Sequence, residues 1–292
     1  MNILEFDKPI ELSKHIAATY QTLRVVLVVI ALLFPWVLWI GGHLSNDRIQ
    51  LQPSMSDYYH ANEVSMREFA AREAAIQAGQ QRESVQLDSG RGVLRNWFVG
   101  VLFAISALLF VYKGYRPAED VALNLAGIFA VLIALFPNGW DDPGLPFHGI
   151  FAVCFFLCIA YVCIFCASAT LSLIDDEDKR KRYRRRYKFL GWAMVATPVI
   201  AAILSEFVQR RTSYVFIAEA AAVYAFAVYW LVKTREISET NADRRAASGE
   251  LFLPAGTGPT DAVRNIRVES VSDKKVGAPA RTGTGPQVQM TV

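Results

Sequence analysis

The stretch KRKRYRRRYK, residues 179–188, lies between two long apolar runs, Phe147–Ile174 and Phe189–Val208. A cationic block between two segments of bilayer length crosses a membrane only at high cost, so it stays on the cytoplasmic side. The block therefore predicts on which side of the membrane every other loop of the chain lies.

Composition places the chain among membrane proteins. Of its 292 residues, 53% are hydrophobic, which is more than a soluble domain of this size needs. The apolar residues gather in segments able to span a hydrocarbon core of about 30 Å at about 1.5 Å per residue. We predict an all-α fold with six transmembrane helices: Leu23–Gly42, Trp97–Val111, Val121–Phe136, Phe147–Ile174, Phe189–Val208 and Tyr214–Val232.

The other loops agree with the orientation that the basic block predicts. The segments Lys113–Pro117 and Lys233–Arg235 carry Lys and Arg on the same side as the block, whereas Asn138–Gly144 on the opposite side carries neither. Arg210 and Arg211 are the exception. Six spans then put both termini in the cytoplasm, and the predicted location is the cell membrane, specifically a bacterial inner membrane.

Three regions follow from this topology. Residues 1–22 are predicted to be a cytoplasmic segment, residues 23–235 a transmembrane domain, and residues 236–292 a disordered cytoplasmic tail rich in Gly, Pro, Ser and Thr. The first span is too long for a signal peptide and lacks a small-residue cleavage site, which indicates an uncleaved anchor. The outer loop 43–96 contains a predicted surface helix over Asn62–Gln81.

The basic block and the cysteines each allow a functional interpretation beside a structural one. Orientation alone explains the block, although Lys179–Lys188 also suits an anionic lipid as a partner besides the bilayer itself; no nucleic acid is expected. All four cysteines lie in the fourth span. A helix cannot close a disulfide between Cys163 and Cys166 without distortion, so we interpret the cysteines as packing residues.

The predicted topology brings a group of polar side chains to the outer face, where they form a polar vestibule. One hypothesis is a hydrolytic zinc site, because imidazole and carboxylate groups bind Zn²⁺ and an open position activates water. Its candidate metal ligands are His60, His148, Asp141 and Asp142, with Ser56 and Asp57 as candidate catalytic residues. The alternative is structural: His148 begins a helix, His60 is solvated and residues 141–144 form a turn.

A second hypothesis rests on polar residues within the membrane. Glu219 lies five residues inside the sixth span, about 8 Å below the interface, where an ionisable group is costly and is expected to pair. Arg210 or Arg211 is its nearest predicted partner. Together with Asn124 and Glu206, these residues allow a small-solute transporter or sensor as an alternative. The first three and last three spans show no similarity of the kind that internal repeats give many transporters, which argues against it.

Two resemblances add to these hypotheses. The ordered segments Pro53–His60, Arg95–Gly100, Tyr112–Tyr115 and Ala134–Pro137 resemble those of uncharacterised bacterial six-span membrane proteins grouped as a domain of unknown function. This resemblance covers roughly residues 20–175 and implies an inner-membrane protein without an established activity.

The second resemblance is to the membrane hydrolase superfamily of alkaline ceramidases and adiponectin-type receptors. Ser56-x-x-x-His60, with Asp141 or Asp142 and with His148, is similar to the zinc-binding pattern of that superfamily. It implies metal-assisted hydrolysis of a lipid or amide, although the six predicted spans depart from the seven of that superfamily. Three functions stay open: a membrane protein without catalysis, a hydrolase, and a transporter or sensor.

Overall fold

The computed structural model describes residues 9–44, 49–61, 92–137, 147–207 and 213–251. Side chains are described for these residues except 9–11, 202 and 204–207. The described residues belong to one compact unit, residues 1–253, and the remainder of the chain, 254–292, is outside them. The predicted surface helix over Asn62–Gln81 and most of the predicted tail are also outside the described residues.

Every regular element in the described ranges is helical. The helices are α1 (Pro9–Leu44), α2 (Val93–Val111), α3 (Pro117–Leu135), α4 (Phe147–Tyr161), α5 (Glu177–Phe207), α6 (Tyr214–Thr240) and α7 (Ala242–Ala247). A 3₁₀ turn at Ser56–Tyr59 precedes α2, and a π turn at Val162–Cys166 and a 3₁₀ turn at Ala169–Leu173 follow α4. The all-α prediction is confirmed for these residues.

Five helical stretches among the described residues are long and apolar enough to cross a membrane. They are Leu12–Leu44, Val93–Val111, Pro117–Leu135, Phe147–Leu173 and Tyr214–Thr240. They coincide with five of the six predicted spans. The remaining prediction, Phe189–Val208, falls on the C-terminal half of α5, whose last residues include side chains outside the described set.

Neighbouring helices pack side by side from α2 to α6, and α1 closes the bundle by packing on α6, α2 and α7. Buried Leu, Ile, Phe and Ala side chains from all these helices form one continuous core. Large apolar side chains such as Val29, Leu125 and Leu157 are exposed on the outside. An apolar exterior around an apolar core is the arrangement expected for a bundle that contacts lipid.

Two of the helices begin beside side-chain hydrogen bonds to the neighbouring backbone. Pro117 starts α3, and the side chain of Asp120 accepts a hydrogen bond from the amide of Gly114 at 2.6 Å. The side chain of Asp176 accepts the amides of Asp178 and Lys179 ahead of α5. The hydrogen bond from Lys179 lowers the pKa of Asp176, so this carboxylate caps the basic half of α5 in its charged form.

Two boundaries differ from the sequence prediction. The fourth predicted span, Phe147–Ile174, is a regular α-helix only as far as Tyr161 and continues through the π and 3₁₀ turns. The tail was predicted to begin at residue 236, but α6 runs through that position to Thr240 and α7 follows it. The two places are connected by Lys233, whose ammonium group donates hydrogen bonds to Ala167 and to Glu236, as described below.

The π turn lies against α5 at Gly191. A Cβ atom at this position would lie 2.5 Å from Ile164 Cγ1 and 3.1 Å from Cys163 Cβ. Gly191 is therefore the residue that lets the two helical segments approach. Cys163, at this contact, and Cys166 are both buried free thiols, in agreement with their interpretation as packing residues.

We expect Gly191→Ala to lower the free energy of unfolding by about 1–3 kcal/mol, because the added methyl group overpacks this contact. Gly100→Ala is the control, since nothing lies within 4 Å of its Cβ position and alanine raises helix propensity by up to about 1 kcal/mol. Thermal unfolding in detergent measures both. A Gly191→Ala variant as stable as Gly100→Ala would contradict the close approach.

Candidate functional site

The loop Pro53–Tyr59 is fastened to the first turns of α6. The amide of Phe216 donates to the carbonyl oxygen of Pro53 at 2.7 Å, and the rings of Tyr58 and Phe216 lie 6.0 Å apart. Ser54, Met55 and Tyr58 are buried in this contact. The loop therefore covers one end of the bundle, which we call the loop end.

Glu219 of α6 is the polar centre of this contact. The hydroxyl of Ser54 lies 2.8 Å from each of its carboxylate oxygens, and the amide of Met55 donates to Oε2 at 2.6 Å. The Ser54 oxygen also accepts the amide of Ser56 at 3.1 Å and lies 2.8 Å from the Ser56 hydroxyl. With the Ser54 hydroxyl donating its hydrogen bond to Glu219, the Ser56 hydroxyl is the donor in that last contact.

The partners of Glu219 are neutral. No Lys or Arg in the described part of the chain lies within 4 Å of its carboxylate. Arg210 and Arg211, the partners predicted from the sequence, are outside the described residues, as is the side chain of Glu206. Asn124 is partly buried on α3 and belongs to a different helix. The structure thus gives Glu219 hydrogen-bond donors that stabilise a carboxylate without cancelling its charge.

The two predicted catalytic residues belong to the same loop. Ser56 is buried and bonded to Ser54, and Oδ2 of Asp57 accepts the amide of Ser54 at 3.2 Å. The amide of His60 in turn donates to the carbonyl oxygen of Asp57 at 3.2 Å. In this arrangement Ser56 and Asp57 hold the turn that presents Ser54 and Met55 to Glu219.

Two of the four predicted metal ligands, His60 and His148, belong to the described residues. His60 lies 4.8 Å from the ring of Tyr59, and His148 lies 2.9 Å from the carbonyl oxygen of Phe136 through Nδ1. The ring of Phe98 lies near both regions, because its centroid is 6.4 Å from that of Tyr59 and 6.4 Å from that of His148. Within the described ranges no three His, Cys, Asp or Glu side chains are grouped to hold a metal ion, and Asp141 and Asp142 are outside those ranges. The zinc site stays a prediction, which metal analysis of the purified protein tests.

A second polar cluster, which the sequence did not predict, lies at the other end of α6. Its centre is Lys233, whose ammonium group donates to Glu236 at 2.8 Å, to Thr170 at 2.7 Å and to the carbonyl oxygen of Ala167 at 3.0 Å. The hydroxyl of Tyr187 donates to the same oxygen of Glu236 at 2.9 Å. The carbonyl group of Ala167 is available because regular helix ends before it, so the break after α4 supplies a ligand to Lys233.

An ion pair between α1 and α7 extends this cluster. The guanidinium group of Arg24 binds both carboxylate oxygens of Asp243, and the hydroxyl of Tyr115 donates to the same carboxylate. Burial, followed by the charge of Asp243, raises the pKa of Tyr115, so its hydroxyl keeps the proton that it donates. Lys233 lies 5.6 Å from the Tyr115 ring centroid and so connects the two ion pairs. We call this group of residues the inner network.

The inner network is buried and incompletely paired. Arg24, Lys233 and Glu236 are at most 1% exposed. Within the described ranges six buried polar atoms in this region have no hydrogen-bond partner: Arg24 Nε, Tyr112 OH, Glu119 Oε1, Tyr229 OH, Trp230 Nε1 and Glu236 Oε1. Each such atom costs about 1–3 kcal/mol. Dense ionisable groups at such a cost mark a functional candidate in a membrane bundle.

The sequence contains one feature that points to the inner network but that a hydropathy profile does not show. Lys233 and Glu236 are three residues apart on one helix face, and Lys233 follows the aromatic residue Trp230 by three residues. By hydropathy, Lys233 belongs to a cytoplasmic flank and Glu236 to the predicted tail. Spacing of opposite charges at the end of an apolar helix is the feature that could have revealed the pair.

Comparison of the chain with protein-family models, with curated proteins and with solved structures finds no significant match. The two resemblances inferred from the sequence therefore stay predictions.

Proposed function

We propose that the protein is a multi-pass membrane protein that moves protons, with Glu219 as the group that takes up and releases the proton. Five described helices are able to cross a membrane. Exposed apolar side chains on the second half of α5 support a sixth span: Phe189, Trp192, Val199, Ile200 and Ile203.

In this proposal the helices span the inner membrane of a bacterial cell, and both termini lie in the cytoplasm. The basic block 179–188 supports this orientation, because it lies beside an apolar half-helix and the loop 138–144 carries no Lys or Arg. The loop end then faces outward, and the inner network lies towards the cytoplasm.

The observation that carries the proton-moving role is the set of neutral donors around Glu219. A carboxylate about 8 Å along α6 from the helix start is costly in a membrane unless its charge is cancelled. Ser54 and Met55 contribute a hydroxyl and an amide, which bind the carboxyl group whether or not a proton is present. A proton cancels the charge without displacing either partner, so the site can load and unload with the loop in place.

A proteoliposome assay tests this role. We expect the wild-type protein to dissipate an imposed pH gradient, reported by an internal pH dye, and Glu219→Gln to slow the dissipation at least tenfold, since glutamine keeps one acceptor oxygen for the Ser54 and Met55 donors but cannot take up or release a proton. Glu250→Gln is the matched control, because the same change is made at an exposed residue. A wild-type protein that leaves the gradient intact, or a Glu219→Gln variant as active as the control, overturns the proposal.

Hydrogen exchange at Met55 adds a readout that needs no transport. The Met55 amide donates to Glu219, so in the wild type the protection of this amide is expected to change with pH as Glu219 gains or loses a proton. In Glu219→Gln this dependence on pH is expected to disappear. This measurement also shows whether the variant keeps the loop docked. A loop that exchanges freely in the variant would trace lost flux to misfolding.

A further inference from the structure

The basic block of α5 has two faces with different surroundings. One face, which carries Lys179, Arg182, Tyr183 and Arg186, lines a groove against Arg235 and Glu239 of α6. The groove encloses about 150 Å³. Spacings of three, four and seven residues put these side chains on one stripe of the helix. A second basic set with the same spacing lies on the opposite face: Lys181, Arg184 and Lys188.

The groove carries an excess of positive charge. It contains four cationic side chains and one carboxylate, Glu239, which already accepts the Nε–H of Arg235 at 3.3 Å. Within the described part of the chain, Lys179, Arg182 and Arg186 form no ion pair. The buried ring of Tyr183 forms the floor, with the guanidinium carbon of Arg186 5.8 Å from its centroid. Such a groove suits an anion that accepts hydrogen bonds from several directions.

The groove lies at the level where the surface changes from charged to apolar. Phe189, three residues after Arg186, is 71% exposed, and Leu231, four residues before Arg235, is 55% exposed. The apolar surface thus begins about 5–6 Å along each helix from the groove. A lipid whose tails contact this surface has its phosphate group at the height of the basic side chains.

We propose that the groove between α5 and α6 binds the phosphate group of an anionic membrane lipid. Arg182, Arg186 and Arg235 supply planar guanidinium groups able to bind phosphate through two parallel hydrogen bonds, and Lys179 adds a point charge. The lipid acyl chains continue onto the exposed apolar residues below. The inference rests on membrane insertion of α5, as in the proposed function, but does not depend on a proton at Glu219.

The test measures binding of phosphatidylglycerol to the full chain in detergent, by native mass spectrometry, with phosphatidylcholine as the neutral comparison. The groove variant is Lys179→Gln/Arg182→Gln/Arg186→Gln, and the control variant is Lys181→Gln/Arg184→Gln/Lys188→Gln. Both remove three charges at the same spacing from the same helix. At about 1 kcal/mol for each basic residue, the groove variant is expected to bind roughly 100-fold more weakly, and the control less than threefold.

Three outcomes overturn the inference. Equal losses in the two variants assign the binding to general surface charge, and equal binding of the two lipids by the wild type removes charge recognition. Displacement of the lipid by millimolar inorganic phosphate assigns the groove to the free anion.

The thermal midpoints of both variants are measured to establish that each is folded. The Glu219→Gln variant is expected to bind the lipid like the wild type. Failure of the proton proposal therefore leaves this result unaffected.

Discussion

Replacing Lys233 by Met is expected to lower the free energy of unfolding by about 3–5 kcal/mol, the usual cost of removing one partner from a buried ion pair. Lys233 is 1% exposed and Glu236 is fully buried. Without the ammonium group, Glu236 keeps a negative charge in the core with Tyr187 as its remaining partner, and the oxygens of Ala167 and Thr170 lose their donor. Thermal unfolding in detergent, followed by tryptophan fluorescence, measures the loss, because Trp230 lies in the same region.

Arg235→Met is the matched control for this variant. Arg235 lies two residues away and also pairs with a glutamate, but its side chain is 74% exposed and its pair with Glu239 is 3.3 Å long. An exposed pair of this kind contributes about 0–1 kcal/mol. The double variant Lys233→Met/Glu236→Gln is expected to be more stable than Lys233→Met, since it removes the uncompensated charge. Equal losses from Lys233→Met and Arg235→Met would falsify the buried pairing.

Replacing Asp243 by Asn is expected to cost a similar amount, about 3–5 kcal/mol, and in addition to release α7 from α1. Asp243 binds both terminal nitrogens of Arg24, which is 1% exposed and cannot lose its proton in a protein. Asparagine keeps one acceptor for Tyr115 but leaves the guanidinium charge unpaired. Limited proteolysis is expected to cut faster near residues 241–250, and the thermal midpoint is expected to fall.

Asp175→Asn provides the comparison, because the same change at an exposed aspartate is expected to alter stability by no more than about 0.5 kcal/mol. The double variant Arg24→Met/Asp243→Asn completes a mutant cycle that isolates the interaction between the two residues. Unchanged cleavage near α7 in Asp243→Asn, or a cycle with no coupling energy, would contradict the clamp between α1 and α7.

The sequence predicted the helices well because a bilayer-length apolar run is a local property. Five of the predicted spans coincide with described apolar helices. Helix α3 begins at Pro117, four residues before the predicted Val121. Its start depends on Pro117, which favours the first position of a helix, and on the polar Asp120, and a hydropathy profile registers neither effect. The break after α4 could not be predicted in this way, since residues 162–173 are as apolar as a membrane-spanning helix. The contact made at the break, from Lys233 of α6 to the carbonyl oxygen of Ala167, joins distant parts of the chain.

The candidate sites were harder to predict because their contacts are between distant parts of the chain. Glu219 was predicted as a costly intramembrane group, but its partners Ser54 and Met55 lie about 165 residues away and include a backbone amide, which no residue pattern specifies. Arg24 and Asp243 are 219 residues apart. In the sequence, Arg24 and Lys233 are charges close to the ends of predicted spans, and only the packing of distant helices shows that both are buried.

One helix joins the two polar regions of the molecule. Glu219 and Lys233 both belong to α6, fourteen residues or about 21 Å apart, and the 27-residue helix contains neither proline nor glycine. An unbroken helix of this length transmits rotation about its axis with little loss. A rotation of α6 that moves Glu219 relative to Ser54 therefore also moves the backbone of Lys233 relative to Ala167, so the two polar regions are mechanically connected through one helix.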